Sequence, residues 1–212
     1  MYARAQEVLN VAAASADLPA PTPYDLDEHH ALATRIASEA ITLLRNEDDA
    51  LPLSSGTSVA LIGDLADTLR YQGAGSSQVN PTRLEAPREL LEAGGESARG
   101  LVLTGYAPGY ERHGGTSDAL IAEAVALAAR ADVALVYVGL DELAESEGLD
   151  RTHMRLPEGQ DRLIEAVVAA NPRTVVVLTG GASVEMPWSS SVSALVNGYL
   201  GAREGLAQCW MS

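Results

Sequence analysis

The stretch Asp132-Val-Ala-Leu-Val-Tyr-Val-Gly-Leu140 is the clearest strand signal in the chain. Its apolar residues follow one another without alternation, which is typical of a strand buried on both faces of a parallel sheet. Helical patterns lie on either side of it, at 117–131 and 157–170, and another apolar strand pattern follows at 174–178. This alternation predicts right-handed βαβ crossovers and therefore an α/β fold with a mainly parallel sheet.

Similar signals extend the pattern toward both ends of the chain. The remaining predicted elements are strands at 58–62, 101–106 and 194–200 and helices at 2–15, 27–46 and 84–93. In the longest of these helices, apolar residues fall on one face, and Asp25 or Asp27 can cap its start. Those apolar residues are Leu32, Ile36, Ala40, Leu43 and Leu44. We therefore expect a sheet of about five to six strands flanked by helices.

A proline-rich segment, Leu18-Pro-Ala-Pro-Thr-Pro-Tyr24, separates the first predicted helix from the rest of the chain. Three prolines in so short a stretch stop a helix and favour extended backbone. We therefore expect residues 1–26 to form a helical arm or linker and residues 27–212 to form the α/β domain.

Composition excludes several classes of partner and site. The 212 residues carry a formal net charge of −15, which argues against nucleic acid and against anionic membrane surfaces as partners. The single cysteine, Cys209, excludes an internal disulfide and a cysteine-based zinc site, and the four histidines have no metal-ligand spacing. We expect no metal and no cofactor. Because no signal peptide follows Met1, we expect a cytoplasmic location.

Three loops follow the predicted strands at the edge where parallel sheets bind ligands, at 63–81, 141–156 and 180–188. The second loop holds five carboxylates within ten residues: Asp141, Glu142, Glu145, Glu147 and Asp150. Crowded negative charges raise one another's pKa, and a raised pKa suits a general acid at neutral pH. The alternative is a solvated acidic loop in an acidic chain.

The other two loops carry weaker signals. In Gly73-Ala-Gly75-Ser76-Ser77, backbone N–H groups can bind an anion and the serines can bind sugar hydroxyls, or the segment is a surface turn. It lacks the third glycine of a dinucleotide fingerprint and the lysine of a P-loop. In the third loop we expect Trp188 to be a packing residue rather than a stacking platform. His113, between the predicted strands at 101–106 and 132–140, is expected to be a surface residue.

Several separate motifs occur in the order found in one enzyme family. They are residues 30–47, Leu51-Pro-Leu53, Val59–Gly63, Gly73–Ser77, Glu145-Ser-Glu147-Gly-Leu-Asp150-Arg151 with Leu156-Pro157 and Gln160, residues 174–178, and Glu185-Met-Pro-Trp188. Together they resemble the second domain of family 3 glycoside hydrolases, an α/β sandwich. The family includes β-glucosidases and β-xylosidases that act from the chain end.

The resemblance implies roles for the residues of the acidic loop. Glu147 matches the family's general acid/base, with Glu145 and Glu142 as alternates, and it would protonate the glycosidic oxygen of a β-glycoside. Gly148, Asp150 and Arg151 match its neighbours. Arg151 would hold the loop by pairing with Asp150 or another carboxylate. In the same way Gly75, Ser76 and Ser77 are supporting or substrate-binding candidates.

The resemblance also implies a partner domain. In the family, a TIM-like barrel precedes this domain and carries the nucleophilic aspartate, and no such motif occurs in these 212 residues. The arm at 1–26 resembles the connection that leaves a barrel, and the family pattern is incomplete after residue 205. We therefore expect a chain that is inactive by itself and needs a barrel in cis or in trans. A sheet edge left exposed near residue 200 also predicts a homodimer.

Two function classes compete at this point. The first is the acid/base domain of a retaining β-glycosidase, and the second is a non-catalytic module that binds a carbohydrate or another small ligand. The cluster Glu147-Gly-Leu-Asp150-Arg151 favours the enzyme, because a binding module has no need of it.

Overall fold

Six strands form one sheet within residues 2–16, 18–19, 23–95, 98–113 and 115–201, which the computed structural model describes. The strands are β1 (Thr42–Asn46), β2 (Ser58–Ile62), β3 (Val102–Ala107), β4 (Val133–Gly139), β5 (Thr174–Thr179) and β6 (Ala194–Tyr199). Their order across the sheet is β1-β6-β5-β4-β2-β3, and all neighbours are parallel except the pair β1 and β6. The predicted α/β fold with a mainly parallel sheet is confirmed.

Five α-helices accompany the sheet in the described residues. They are α1 (Tyr2–Ala16), α2 (Leu26–Ala40), α3 (Pro87–Ala93), α4 (Asp118–Ala128) and α5 (Gln160–Ala170). The buried apolar residues of α4 and α5, such as Leu127 and Leu163, pack with Ile62 and Val136 on one face of the sheet. On the other face, Leu91 of α3 belongs to a second cluster. The sheet is therefore buried on both sides, as its uninterrupted apolar runs predict.

The order of the strands creates a crevice at one edge of the sheet. From β2 the chain crosses to β3 on one side and then returns to β4 on the other side of β2. Such a reversal separates the loops that leave the two neighbouring strands, and ligands in open α/β sheets bind at this position. The loops that follow β2 and β4 are the segments 63–81 and 141–156.

The chain divides into two compact units, residues 1–32 and 33–212. In the first unit, Asp25 Oδ1 accepts hydrogen bonds from the backbone N–H groups of Asp27 (2.8 Å) and Glu28 (3.3 Å). Asp25 is therefore the cap of α2, one of the two candidates predicted. The predicted division into an arm at 1–26 and a domain at 27–212 stays a prediction.

The helix predicted over 27–46 is wrong only in its last six residues. Helix α2 ends at Ala40, and Thr42–Asn46 is the strand β1, which pairs antiparallel with β6 at Thr42↔Asn197 and Leu43↔Val196. Leu43 and Leu44 fit a helical face and a strand equally well, and the pairing with a distant strand decides between them. Because β1 covers the side of β6, the edge expected there is not exposed, and the predicted homodimer stays a prediction.

Helix α5 begins three residues later than its proline suggests. Pro157 is not the first helical residue, because Gly159 adopts a left-handed conformation (φ +86°) and Gln160 starts the helix. The buried side chain of Gln160 accepts a hydrogen bond from the N–H of Gly139 (2.9 Å) and donates one to its carbonyl (3.1 Å). This amide therefore secures the end of β4 where the acidic loop leaves the sheet.

Candidate active site

Glu147 and Ser76 meet above the crevice between β2 and β4. One carboxylate oxygen, Oε2 of Glu147, accepts hydrogen bonds from the backbone N–H of Ser76 (2.7 Å) and from its hydroxyl (2.5 Å). The N–H of Glu147 donates to the carbonyl of Ala74 (3.1 Å). Both side chains are exposed, so the carboxylate lies at the surface with its position fixed by the neighbouring loop.

Gly75 allows this close approach of the two loops. Its φ of +105° is a conformation that residues with a side chain rarely adopt. A Cβ atom at this position would lie 2.7 Å from Cβ of Glu147 and 2.8 Å from its Oε2. A larger residue would therefore displace the carboxylate, and Gly75 belongs to the candidate site as a backbone element.

The pKa of Glu147 is lowered rather than raised. The hydrogen bond from the Ser76 hydroxyl is the largest cause and the bond from the Ser76 N–H is the second, because both stabilise the ionised carboxylate. The raised pKa expected for a carboxylate in this crowded loop is therefore not found at Glu147. In this chain Glu147 is therefore a carboxylate at neutral pH.

Glu145, the first alternate, is held by a buried arginine. Arg70 is 2 % exposed, and its Nη1 donates to Glu145 Oε2 at 2.6 Å. The same oxygen accepts the N–H of Gly181 (3.0 Å). Glu145 thus connects the loops that follow β2, β4 and β5, and its place is structural.

Glu142, the second alternate, is also paired. Arg112 donates from Nη1 to Glu142 Oε1 (3.0 Å) and from Nε to Asp64 Oδ2 (2.7 Å). Next to this pair, His113 is exposed, as expected, and its Nδ1 lies 3.2 Å from Oδ2 of the mostly buried Asp141. Of the three glutamates proposed from the sequence, only Glu147 is exposed and lacks an ion pair among the described residues.

Arg151 holds the acidic loop by a different route from the one expected. It does not pair with Asp150 in the described structure; its Nη1 donates to the carbonyl of Ser183 (2.8 Å) and its Nη2 to that of Arg155 (3.3 Å). Together with the bond from Glu185 N to Met154 O (2.7 Å), this contact fastens the far half of the loop to the segment after β5. Asp150 and Gly148 lie exposed between the two anchored halves.

Other residues of the acidic loop line an open cleft of about 350 Å³, and Glu147 is not part of its lining. Its lining includes His113, Asp150, Arg151, His153 and Arg155. Ser77 is exposed beside Ser76 and makes none of the hydrogen bonds to Glu147 that the structure describes. Trp188 is buried, and its Nε1 donates to Asp161 (2.7 Å), so it is the packing residue expected.

Two arginines of this region, Arg70 and Arg112, were not predicted as site residues. Their partners lie 75 and 30 residues further along the chain, a separation that only the folded sheet closes. Arg70 lies eight residues after the end of β2, behind Asp67-Thr-Leu69, and no local pattern marks it as a site residue. In the described residues no group of three or more His, Cys, Asp or Glu side chains is arranged to hold a metal ion. None of the described helices is long and apolar enough to cross a membrane.

We expect Ser76→Ala to raise the pKa of Glu147 toward its usual value, because the hydroxyl donor is lost and only the backbone donor remains. The pKa of Glu147 is measured by following its side-chain carbon by NMR as pH is varied. A lowered folded pKa stabilises the fold above the usual glutamate pKa, and the contribution is lost as pH falls through the folded value. The wild-type chain should therefore lose more stability on acidification than S76A. Ser77→Ala is the matched control, and equal titration of all three proteins would contradict the assignment.

Comparison with known proteins places this geometry in a family. Residues 41–209 match the sequence model of the Glycosyl hydrolase family 3 C-terminal domain. The chain is 47% identical over 182 residues to thermostable beta-glucosidase B of Acetivibrio thermocellus, which covers 85% of this chain and 24% of that protein. It is 37% identical over 193 residues to the exo-alpha-(1->6)-L-arabinopyranosidase of Bifidobacterium longum (86% and 25%). The chain thus spans about a quarter of the length of these curated relatives.

Solved structures give the same result. The beta-glucosidase of Bifidobacterium adolescentis superposes with a TM-score of 0.84 at 35% identity, over 97% of this chain and 30% of that chain. A beta-glucosidase of Streptomyces venezuelae, solved with D-glucose, superposes with a TM-score of 0.81 at 25% identity, over 92% and 38%. The chain therefore belongs to glycosyl hydrolase family 3, within which residues 41–209 form a C-terminal domain.

Proposed function

We propose that this chain is the acid/base domain of a retaining, exo-acting β-glycosidase of the β-glucosidase type, with Glu147 as the general acid/base. The single observation that carries the proposal is the position of the Glu147 carboxylate. It is exposed at the carboxyl edge of the sheet, above the crevice between β2 and β4, and two hydrogen bonds from Ser76 fix it there. The names of the relatives support the reaction class.

The proposed mechanism assigns two proton transfers to Glu147. In the first step its carboxylic acid protonates the glycosidic oxygen as the bond to the leaving group breaks, and a second carboxylate forms a glycosyl-enzyme intermediate. In the second step the Glu147 carboxylate accepts a proton from the water that attacks this intermediate. The two carboxyl groups must be about 5–5.5 Å apart. We propose that a TIM-like barrel in cis or in trans supplies the nucleophile, so the chain alone is inactive.

The proposal requires the proton affinity of Glu147 to change when the barrel is present. In the chain by itself, Ser76 lowers the pKa of Glu147, which suits the second step and not the first. A barrel placed over the carboxylate would exclude water and bring a second negative carboxylate close, and both effects raise a pKa. We therefore expect the pKa of Glu147 to be higher in the joined protein than in the separate chain, measured by the same NMR titration. An unchanged pKa would contradict this mechanism.

The function is tested with a chimera in which this chain replaces the matching 182 residues of the Acetivibrio thermocellus beta-glucosidase B. We expect turnover of aryl β-glucosides by the chimera and none by the chain alone. Aryl α-L-arabinopyranosides complete the panel, because a second relative carries that activity in its name. Glu147→Ala should abolish turnover, whereas Glu123→Ala, at an exposed position on α4, should leave it unchanged.

The outcomes separate the enzyme from the binding module. Turnover that survives Glu147→Ala would remove Glu147 from the mechanism. A folded chimera without turnover, together with calorimetric binding of glucose to the chain alone, would favour the non-catalytic carbohydrate-binding module. Turnover by the chain alone would show that the barrel is not needed.

A further inference from the structure

The acidic loop and the loop after β2 are joined at two places, of which only one involves Glu147. At the first, Ser76 and Ala74 bind Glu147. At the second, Arg70 binds the backbone and the side chain of Glu145, since its Nη2 donates to the carbonyl of that residue at 2.8 Å. Arg70 and Ser76 lie on one loop, and Glu145 and Glu147 lie on the other. The contacts therefore close a ring that includes both Arg70 and Glu147.

The guanidinium of Arg70 is buried and contacts both the end of β4 and the acidic loop. Its side chain is 1% exposed, and its two terminal nitrogens serve three acceptors. Nη1 donates to the carboxylate of Glu145 (2.6 Å) and to the carbonyl of Leu140 directly after β4 (3.0 Å), and Nη2 donates to the carbonyl of Glu145. A planar guanidinium reaches several fixed acceptors at once, which the single nitrogen of a lysine cannot do. Arg70→Lys therefore keeps the positive charge and removes the planar guanidinium, so it tests the shape of the side chain separately from its charge.

The third loop is connected to the same pair. Gly181 N donates to Glu145 Oε2 at 3.0 Å, and a Cβ atom on Gly181 would lie 2.8 Å from Glu145 Oε1. Glu145 thus has no room to move toward the segment after β5. Its carboxylate is held between Arg70 and Gly181, two residues before Glu147.

We propose that Arg70, acting through Glu145, is the positioning residue that holds Glu147 against Ser76. The catalytic consequence of this proposal rests on the proposed function, whereas the structural link can be measured in the chain by itself. The hydrogen bonds of Arg70 in the described residues go to Leu140 and Glu145 and not to Glu147, so it acts only through the two loops.

The test uses hydrogen exchange in the full chain with Arg70→Lys. The amides of Ser76 and Glu147 report directly, because each donates a hydrogen bond from one loop to the other. We expect both to exchange about tenfold faster in R70K, while amides of β5 are unchanged. The pKa of Glu147 should also rise toward its usual value as the bonds from Ser76 loosen. Arg162→Lys is the control, since Arg162 pairs with Asp118 on the exposed surface.

Gly181→Ala provides a second variant that leaves Arg70 in place. Its added methyl group pushes the Glu145 carboxylate, and we expect the same two amides to exchange faster. If R70K does not fold, the exchange rates of the Ser76 and Glu147 amides in G181A test the proposal. Unchanged exchange of Ser76 and Glu147 in the folded variants would overturn the proposal.

Activity separates this proposal from the proposed function. In the chimera, Arg70→Lys should lower kcat and leave KM nearly unchanged, because the substrate contacts remain while the proton donor is misplaced. If the amides respond but Glu147→Ala leaves the chimera active, the positioning role stands and the catalytic role of Glu147 falls. If Glu147→Ala abolishes activity but the amides do not respond to R70K, the catalytic role of Glu147 stands and the positioning role of Arg70 falls.

Discussion

Replacing Glu147 by Gln in the chimera is expected to lower kcat/KM by about 10²- to 10⁴-fold for glycosides with poor leaving groups. The glutamine keeps the size of the side chain and can still accept a hydrogen bond from Ser76, but it cannot give or take a proton. A phenol that leaves readily needs little protonation, so its release should be affected far less. The measurement is kcat/KM for a series of aryl β-glucosides whose phenols differ in acidity, because kcat/KM reports the first step, whereas kcat also includes the second step, in which Glu147 acts as the base.

The pattern across the series matters more than the size of the loss. Glu123→Gln, on the exposed side of α4, is the control and should follow the wild-type chimera for every leaving group. An equal loss for good and poor leaving groups would show that Glu147 is not the proton donor. E147Q is expected to remain folded because the side chain is exposed, with a small fall in melting temperature from the loss of the ionised carboxylate that Ser76 stabilises.

A large effect on stability is expected at Gly63, the first residue after β2. A Cβ atom there would lie 2.0 Å from the backbone oxygen of Tyr137 in the neighbouring strand β4, and φ is +114°. Since backbone atoms in the centre of a sheet cannot yield, we expect Gly63→Ala to lower the free energy of unfolding by about 4 kcal/mol or more.

Gly56 offers a matched control for this substitution. It also has a positive φ (+88°), but a Cβ atom would meet nothing within 4 Å. Gly56→Ala therefore reports the backbone strain alone, about 1 kcal/mol. Urea denaturation of both variants measures the difference, which is the cost of the collision with β4. Equal stability of the two variants would mean that the sheet can open at this point.

The sequence is informative about the parts of the fold that depend on local pattern. The strand β4 is recognised because its apolar residues are continuous, and the strand β2 for the same reason. The strand β1 is missed because Leu43 and Leu44 suit two conformations, and the pairing with β6, about 150 positions away, selects one. Local pattern contains no information about that partner.

In the candidate site, too, local sequence predicts the separate loops but not the contacts between them. The loops of Ser76 and Glu147 are both predicted as candidates, since each follows a strand at the edge where ligands bind. Their direct contact depends on β2 and β4 being neighbours, which the order of elements along the chain does not specify. Arg70 is missed for the same reason. The expected pairing of Arg151 with Asp150 or another carboxylate is not found in the described residues, because the guanidinium donates instead to the carbonyl of Ser183 in the third loop and to that of Arg155 in the acidic loop.

The antiparallel pairing of β1 with β6 also determines how this domain connects to the rest of a protein. The first and last strands of the described sheet are neighbours, so the start of β1 at Thr42 and the end of β6 at Tyr199 lie side by side. Domains with adjoining ends can be spliced into another chain with little disturbance to either part. The residues that hold Glu147 all lie between the start of β1 and the end of β6. A sheet transferred into another protein would therefore keep them together.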